Sequence, residues 1–150
     1  MKLYYAPSAC SLAVHIALRE ASLPVELVKV DLASKTADDG CDYLTLNPKG
    51  YVPTLLLDDG QVLTEVSVLL QYVAGQNPEA GLLPIPGTLE HYRALEWIGF
   101  IATEIHKGFG PLWNPTTPEP TRQAALDTLA RRFDLVERQL GAAGYMCVFR

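Results

Sequence analysis

Short apolar runs punctuated by Pro, Gly and Asp fill the first half of the chain, and longer amphipathic stretches fill the second. Lys2–Tyr5 reads as a strand ended by Pro7. Ser8 and Cys10-Ser11 then open a helix in which Leu12, Ile16 and Leu18 return at roughly helical spacing. After Pro24, the residues Val25, Leu27, Val28 and Val30 mark a second, mostly buried strand over Val25–Leu32. The polar stretch Ala33–Asn47 predicts one short turn, around Tyr43–Leu46. Thr54–Leu57 and Gln61–Thr64 flank Asp58-Asp59-Gly60, and Asp-Gly between two apolar runs is the strongest hairpin signal here. A helix follows from Thr64-Glu65 through Val68, Leu69, Tyr72 and Val73, and Gly75 and Pro78 are read as its end.

Strand, helix, strand, loop, hairpin and helix, in that order, predict a small mixed sheet with one parallel pair and helices on its faces. This α/β unit spans residues 1–78, and 79–87, with Pro84 and Pro86, reads as a linker. From 88 to 150 the signal is helical only. One helix covers Thr88–Lys107 and is broken by Gly108, Gly110 and Pro111. A proline-rich loop fills Asn114–Pro120. A last helix covers Thr121–Leu140, with Leu126, Leu129, Phe133 and Val136 on one face and Gly141–Gly144 as its end.

Hydrophobic residues make up 49% of the chain and charged residues 19%, a globular balance. A net charge of −5 argues against a nucleic-acid surface, which needs a basic patch. The start has no apolar leader, and no apolar run approaches the ~18 residues of a membrane span, so a cytoplasmic chain is expected. Cys10, Cys41 and Cys147 are odd in number and lack metal-ligand spacing, which speaks for a reducing compartment and no metal.

Val52-Pro53-Thr54 carries the most chemical information. Proline has no N–H for a sheet ladder, so Pro53 suggests a cis turn that leaves the Val52 backbone free to pair with an extended, peptide-like ligand. Cys10, at a strand-to-helix junction, would face that turn, where helix amides favour a thiolate and Ser11 could donate to sulfur. Glu65 sits where a helix begins and could grip a ligand ammonium; His106 and Lys107 end another helix. Each has a plainer reading: a buried small hydrophobe for Cys10, a helix-favoured acid for Glu65, and helix-favoured cations for His106 and Lys107. His15 is expected in the core and His91 at the surface. With no C-x-x-C, dithiol redox chemistry is not expected.

Taken together these marks resemble the glutathione transferases, most closely the bacterial beta class. The resemblance rests on Met1–Tyr5, Ser8–Leu12, His15, Leu18–Glu20, Asn47–Gly50, Val52-Pro53, Leu63–Glu65 and Glu104–Gly108, in that order. It implies a thioredoxin-like N-terminal domain, an all-α C-terminal domain and a homodimer. It implies that glutathione is the co-substrate, small hydrophobic electrophiles are the partners, and no metal takes part. Cys10 would meet the glutathione sulfur or form a mixed disulfide with it, with Tyr5 and Ser11 nearby. Val52, through the cis-Pro53 turn, would pair with the cysteinyl backbone. Glu65 and the amide of Val66 would hold the γ-glutamyl end and Lys35 the glycyl carboxylate. Glu104, from the same or the partner subunit, would border the cleft with His106 and Lys107.

Two departures stand out. Val66 replaces a smaller residue usual after Glu65 and predicts weaker glutathione binding through crowding. The tail Gly144–Arg150 lacks a helix-start pattern and reads as a shortened C-terminus, with last helices missing and apolar helix faces left uncovered. The resulting expectation is a glutathione transferase active in conjugation and in disulfide exchange through Cys10. The alternatives are a non-catalytic binding protein that keeps the fold, and a disulfide reductase or peroxidase using Cys10 covalently.

Overall fold

The computed structural model describes residues 1–144 and Met146. It divides into two compact units, Met1–Leu83 and Pro84–Arg150.

The first unit is built on five strands: β1 (Lys2–Tyr5), β2 (Glu26–Asp31), β3 (Thr36–Ala37), β4 (Thr54–Leu56) and β5 (Val62–Thr64). They lie in the order β3-β2-β1-β4-β5, with β1 parallel to β2 and the other pairings antiparallel. β1 is central, so both its faces are covered and its alternation serves two cores. Leu3 points into a cluster with Val14, Leu18, Ala21, Leu55, Leu69 and Val73, beneath α1 (Ser11–Glu20) and α3 (Val66–Gln76). Tyr4 points the other way, into a cluster with Val28, Val30, Ala37, Tyr43 and Val52. There its hydroxyl donates to Asp39 at 2.9 Å, and burial followed by that carboxylate pushes the phenol pKa up. α2 is the single turn Tyr43–Leu46, capped by the Asp42 side chain, which accepts from the Leu44 N–H.

The sheet differs from expectation at β3, a two-residue strand inside the polar stretch, in which Thr36 is exposed and Ala37 buried. The inward face of α1 also differs. Ser11, Val14 and Leu18 are buried, whereas Leu12 and Ile16 are 56% and 52% exposed. The helix meets the sheet along the 11/14/18 stripe, and Ala21 continues that stripe just past its end. His15 is half-buried and accepts from Arg19 Nε at 3.3 Å. Gly75 lies inside α3 rather than ending it; the helix stops before Asn77, whose side chain donates to Ala21 O, and Pro78 opens a short 3₁₀ turn.

In the second unit α4 (Leu89–Phe100) starts at Thr88, whose hydroxyl accepts from the His91 N–H. The predicted break at Gly108–Pro111 is instead a change of winding. A π-helical segment, Ile101–His106, passes into a 3₁₀ turn, Lys107–Phe109, and then α5 (Gly110–Trp113). Pro111 lies in the first turn of α5, where its missing N–H leaves no ladder bond unmade. Gly108 packs closely on α6: a Cβ there would lie 2.8 Å from Leu129 Cδ2, so a larger residue would have to push the end of that side chain aside. α6 (Glu119–Ala143) begins two residues before the predicted start, with Pro120 in its first turn. It also runs through Gly141 and ends at Gly144, whose N–H bonds Leu140 O. Leu129 is buried, while Leu126 and Phe133 on the expected apolar face are exposed. Apart from Met146, the tail residues beyond Gly144 lie outside the described residues.

Candidate functional site

The loop from Asn47 to Thr54 connects α2 to β4, and a buried polar network holds it. Tyr43 Oη donates to the Tyr51 carbonyl and pairs with Thr54 Oγ1 at 2.7 Å. Asn47 Nδ2 donates to both Tyr51 O and Thr54 Oγ1, each at 2.9 Å, and Asn47 Oδ1 accepts from the Lys49 N–H at 3.2 Å. The phenol proton serves Tyr51, so the Thr54 hydroxyl donates to Tyr43, and both Asn47 amide hydrogens are used. Burial pushes the Tyr43 phenol pKa up, which keeps it a neutral donor. Asn47 and Thr54 are buried, as low-dielectric networks demand when every member is satisfied. From the other side Lys35 Nζ donates to Gly50 O at 3.0 Å. Gly50 has φ +64°, and a Cβ there would meet Leu44 Cδ2 at 3.2 Å, so glycine fits on both counts.

The clamped loop presents Val52 to Cys10. The Val52–Pro53 bond is cis, as the sequence suggests. Cys10 stands at the N-cap of the ten-residue α1, half-buried, and its thiol donates to Val52 O at 3.4 Å. Among the described residues the Val52 N–H has no hydrogen-bond partner. Ser11 is placed differently from its expected role beside the sulfur. It is fully buried, donates to Ala6 O at 3.2 Å and accepts from the Ala6 N–H at 3.3 Å. It braces the β1–α1 turn. Tyr5 is half-buried against the Leu3 cluster.

Glu65 lies at the start of α3 with φ +71°. For a non-glycine residue that conformation costs of order 1–3 kcal/mol, and such strain gathers at functional positions. Its carboxylate is exposed; Lys49 Nζ lies 2.6 Å from Oε1 and also donates to Thr64 Oγ1 at 2.9 Å. Val68 and Leu69 both donate to Glu65 O, while the Val66 and Ser67 N–H groups have no partner among the described residues. These are two of the orphan donors expected at any helix start. The Val66 side chain packs against the Leu3–Leu69 cluster, which draws it toward the core.

In the second unit Glu104 lies in the π-helical segment, and one of its oxygens, Oε2, takes both Nε (2.9 Å) and Nη2 (2.8 Å) of Arg132 on α6. His106 meets the edge of Trp113 at a centroid distance of 5.7 Å, and Phe109 stacks on the same indole at 6.2 Å. Lys107 follows at the start of the 3₁₀ turn. Among the described residues no group of three or more His, Cys, Asp and Glu could hold a metal.

Residues 7–76 match the family model for the glutathione S-transferase N-terminal domain. The chain is 45% identical to glutathione S-transferase GstA of Escherichia coli O157:H7 over 98% of its own length and 73% of that protein's. The chain belongs to the glutathione transferases. A solved glutathione transferase from Methylococcus capsulatus is 59% identical, with a TM-score of 0.96 over 99% of this chain and 74% of that one. The beta-class enzyme of Sphingomonas chungbukensis is 42% identical, with a TM-score of 0.92 over 98% and 73% of the respective chains. The thioredoxin-like arrangement of the first unit, with Cys10 beside the Val52–Pro53 turn, is therefore the N-terminal domain of this transferase family.

Sequence reasoning assigned no role to Tyr43, Thr54, Lys49 or Arg132. The only available signal was local: Tyr43 and Asn47 one helical turn apart, and Lys49 inside the run Asn47–Gly50.

Proposed function

We propose that this transferase conjugates glutathione to small hydrophobic electrophiles and that Cys10 exchanges thiols with glutathione mixed disulfides. The observation that carries this reading is the 3.4 Å contact of Cys10 Sγ with Val52 O, beside a Val52 N–H that has no partner among the described residues. A cysteinyl residue pairing with the Val52 backbone would bring its own sulfur to the α1 N-terminus and to Cys10. The γ-glutamyl carboxylate is assigned to the Val66 and Ser67 N–H groups, where the helix dipole favours an anion. Its ammonium is assigned to Glu65. Lys35, by leaving Gly50 O, would reach the glycyl carboxylate. Because Val66 packs toward the core, its amide stays available, and the crowding expected from its side chain is small.

Conjugation needs a glutathione thiolate to attack an electrophilic carbon while a leaving group departs with the bonding electrons. In the exchange reaction, the Cys10 thiolate attacks the glutathione sulfur of a mixed disulfide. The other thiolate leaves, and Cys10 carries glutathione. A second glutathione thiolate then attacks that bond, releases glutathione disulfide and restores Cys10. Glu104, His106 and Lys107 are the helical unit's proposed contribution, with Glu104 acting in a homodimer. Tyr5 is proposed to line the sulfur's surroundings, whereas Ser11 acts only through the Ala6 turn. Among the described residues no helix is long and apolar enough to cross a membrane. Detoxification in a reducing cytoplasm suits a Cys10 that forms no disulfide among the described residues, and abundant glutathione.

Cys10→Ala tests the division of labour. With 1-chloro-2,4-dinitrobenzene, conjugation is expected to persist in the variant. With the mixed disulfide of glutathione and 2-mercaptoethanol, exchange is expected to fall to the uncatalysed rate. Turnover of neither substrate by the unaltered protein would leave a binding protein.

A further inference from the structure

Lys49 carries a second inference, resting on the assignment of Glu65 above. We propose that Lys49 is a specificity-determining residue: its ammonium occupies the amino-group subsite of Glu65 until a ligand displaces it, and so it sets how strongly ligands with an α-ammonium are preferred. The geometry is direct. Lys49 Nζ sits 2.6 Å from Glu65 Oε1 and 2.9 Å from Thr64 Oγ1, so Glu65 already holds a primary ammonium. Asn47 fixes the Lys49 backbone from one side, by accepting its N–H, and Lys35 fixes Gly50 on the other. The ammonium is thus delivered from a clamped loop by a flexible stem. Lys49 and Glu65 side chains are 48% and 60% exposed, which makes the pair weak enough to exchange. Glu65 Oε2 has no partner among the described residues, but two ammonium groups on one carboxylate repel one another by about 1 kcal/mol in water, so a ligand amine and Lys49 compete for it.

The test compares affinities for glutathione and for its analogue in which hydrogen replaces the α-amino group, by calorimetry on the full chain. Two variants are used. Thr64→Val removes the second anchor of the Lys49 ammonium without changing any charge. Lys49→Met removes the competitor itself and is measured at 0.5 M added salt, where long-range attraction between Lys49 and the anionic ligands is screened to within a few ångströms, about 4 Å. In both variants the preference for glutathione over the analogue is expected to rise about two- to fivefold, the range a surface ion pair supports. A preference that stays the same or falls in either variant overturns the proposal. If the unaltered protein itself binds both ligands equally, the assignment of Glu65 fails, and the role of Lys49 falls with it.

Discussion

Asn47→Leu is expected to destabilise the protein by about 2–4 kcal/mol and to lower its melting temperature by roughly 10 °C. Leucine, though bulkier, has the same branched heavy-atom skeleton as asparagine but can neither donate to Tyr51 O and Thr54 Oγ1 nor accept from the Lys49 N–H. Asn47 is 3% exposed, so water cannot replace those bonds. Tyr51 O keeps the Tyr43 hydroxyl, which bounds the loss; Thr54 Oγ1 and the Lys49 N–H lose the Asn47 side chain. The same change should weaken glutathione binding, because the network fixes the loop that presents Val52. Urea unfolding followed by fluorescence measures it: the midpoint should fall with little change in slope. An unmoved midpoint would mean that the loop is held by something other than this network.

Glu65→Gln is expected to raise the glutathione dissociation constant about ten- to a hundredfold, the equivalent of one charge-assisted hydrogen bond of roughly 1.5–3 kcal/mol. Glutamine keeps the shape and one acceptor but loses the charge that attracts an ammonium. Stability should hardly change, since the Lys49–Glu65 pair is exposed and such pairs contribute about 0–1 kcal/mol. The backbone at φ +71° is as strained with glutamine as with glutamate. A large loss of affinity with an unchanged melting temperature therefore separates a binding role from a structural one. Equal affinity in the two proteins would remove Glu65 from the ligand site.

Much of the first unit was legible because its signals are local. β1, β2 and the hairpin of β4 and β5 are short apolar runs bounded by Pro or Asp-Gly, and a proline just before a strand suggests the cis bond seen at Val52–Pro53 without requiring it. What escaped depends on partners distant in sequence. β3 is two residues whose pairing is set by Val30 and Asp31. The inward stripe of α1 begins with a serine, so a hydrophobicity pattern points instead to Leu12 and Ile16. Only the Ala6 backbone, which satisfies the Ser11 hydroxyl, makes that burial affordable. In the second unit, Gly108, Gly110 and Pro111 look like a stop, but helical winding can change from π to 3₁₀ without ending. Arg132 reaches Glu104 across 28 positions, a pairing no spacing rule exposes.

Thermal unfolding of the unaltered chain with and without glutathione tests the central claim, that Cys10, Val52, Glu65 and the start of α3 form a glutathione site. At ten times the dissociation constant a ligand stabilises by about 1.4 kcal/mol, an upward shift of a few degrees for a domain of this size. A cooperative transition is expected to move up with glutathione in the unaltered chain and, at the same concentration, by about a third as much or less in Glu65→Gln. A sharp transition that glutathione leaves unmoved at millimolar concentration would contradict that claim.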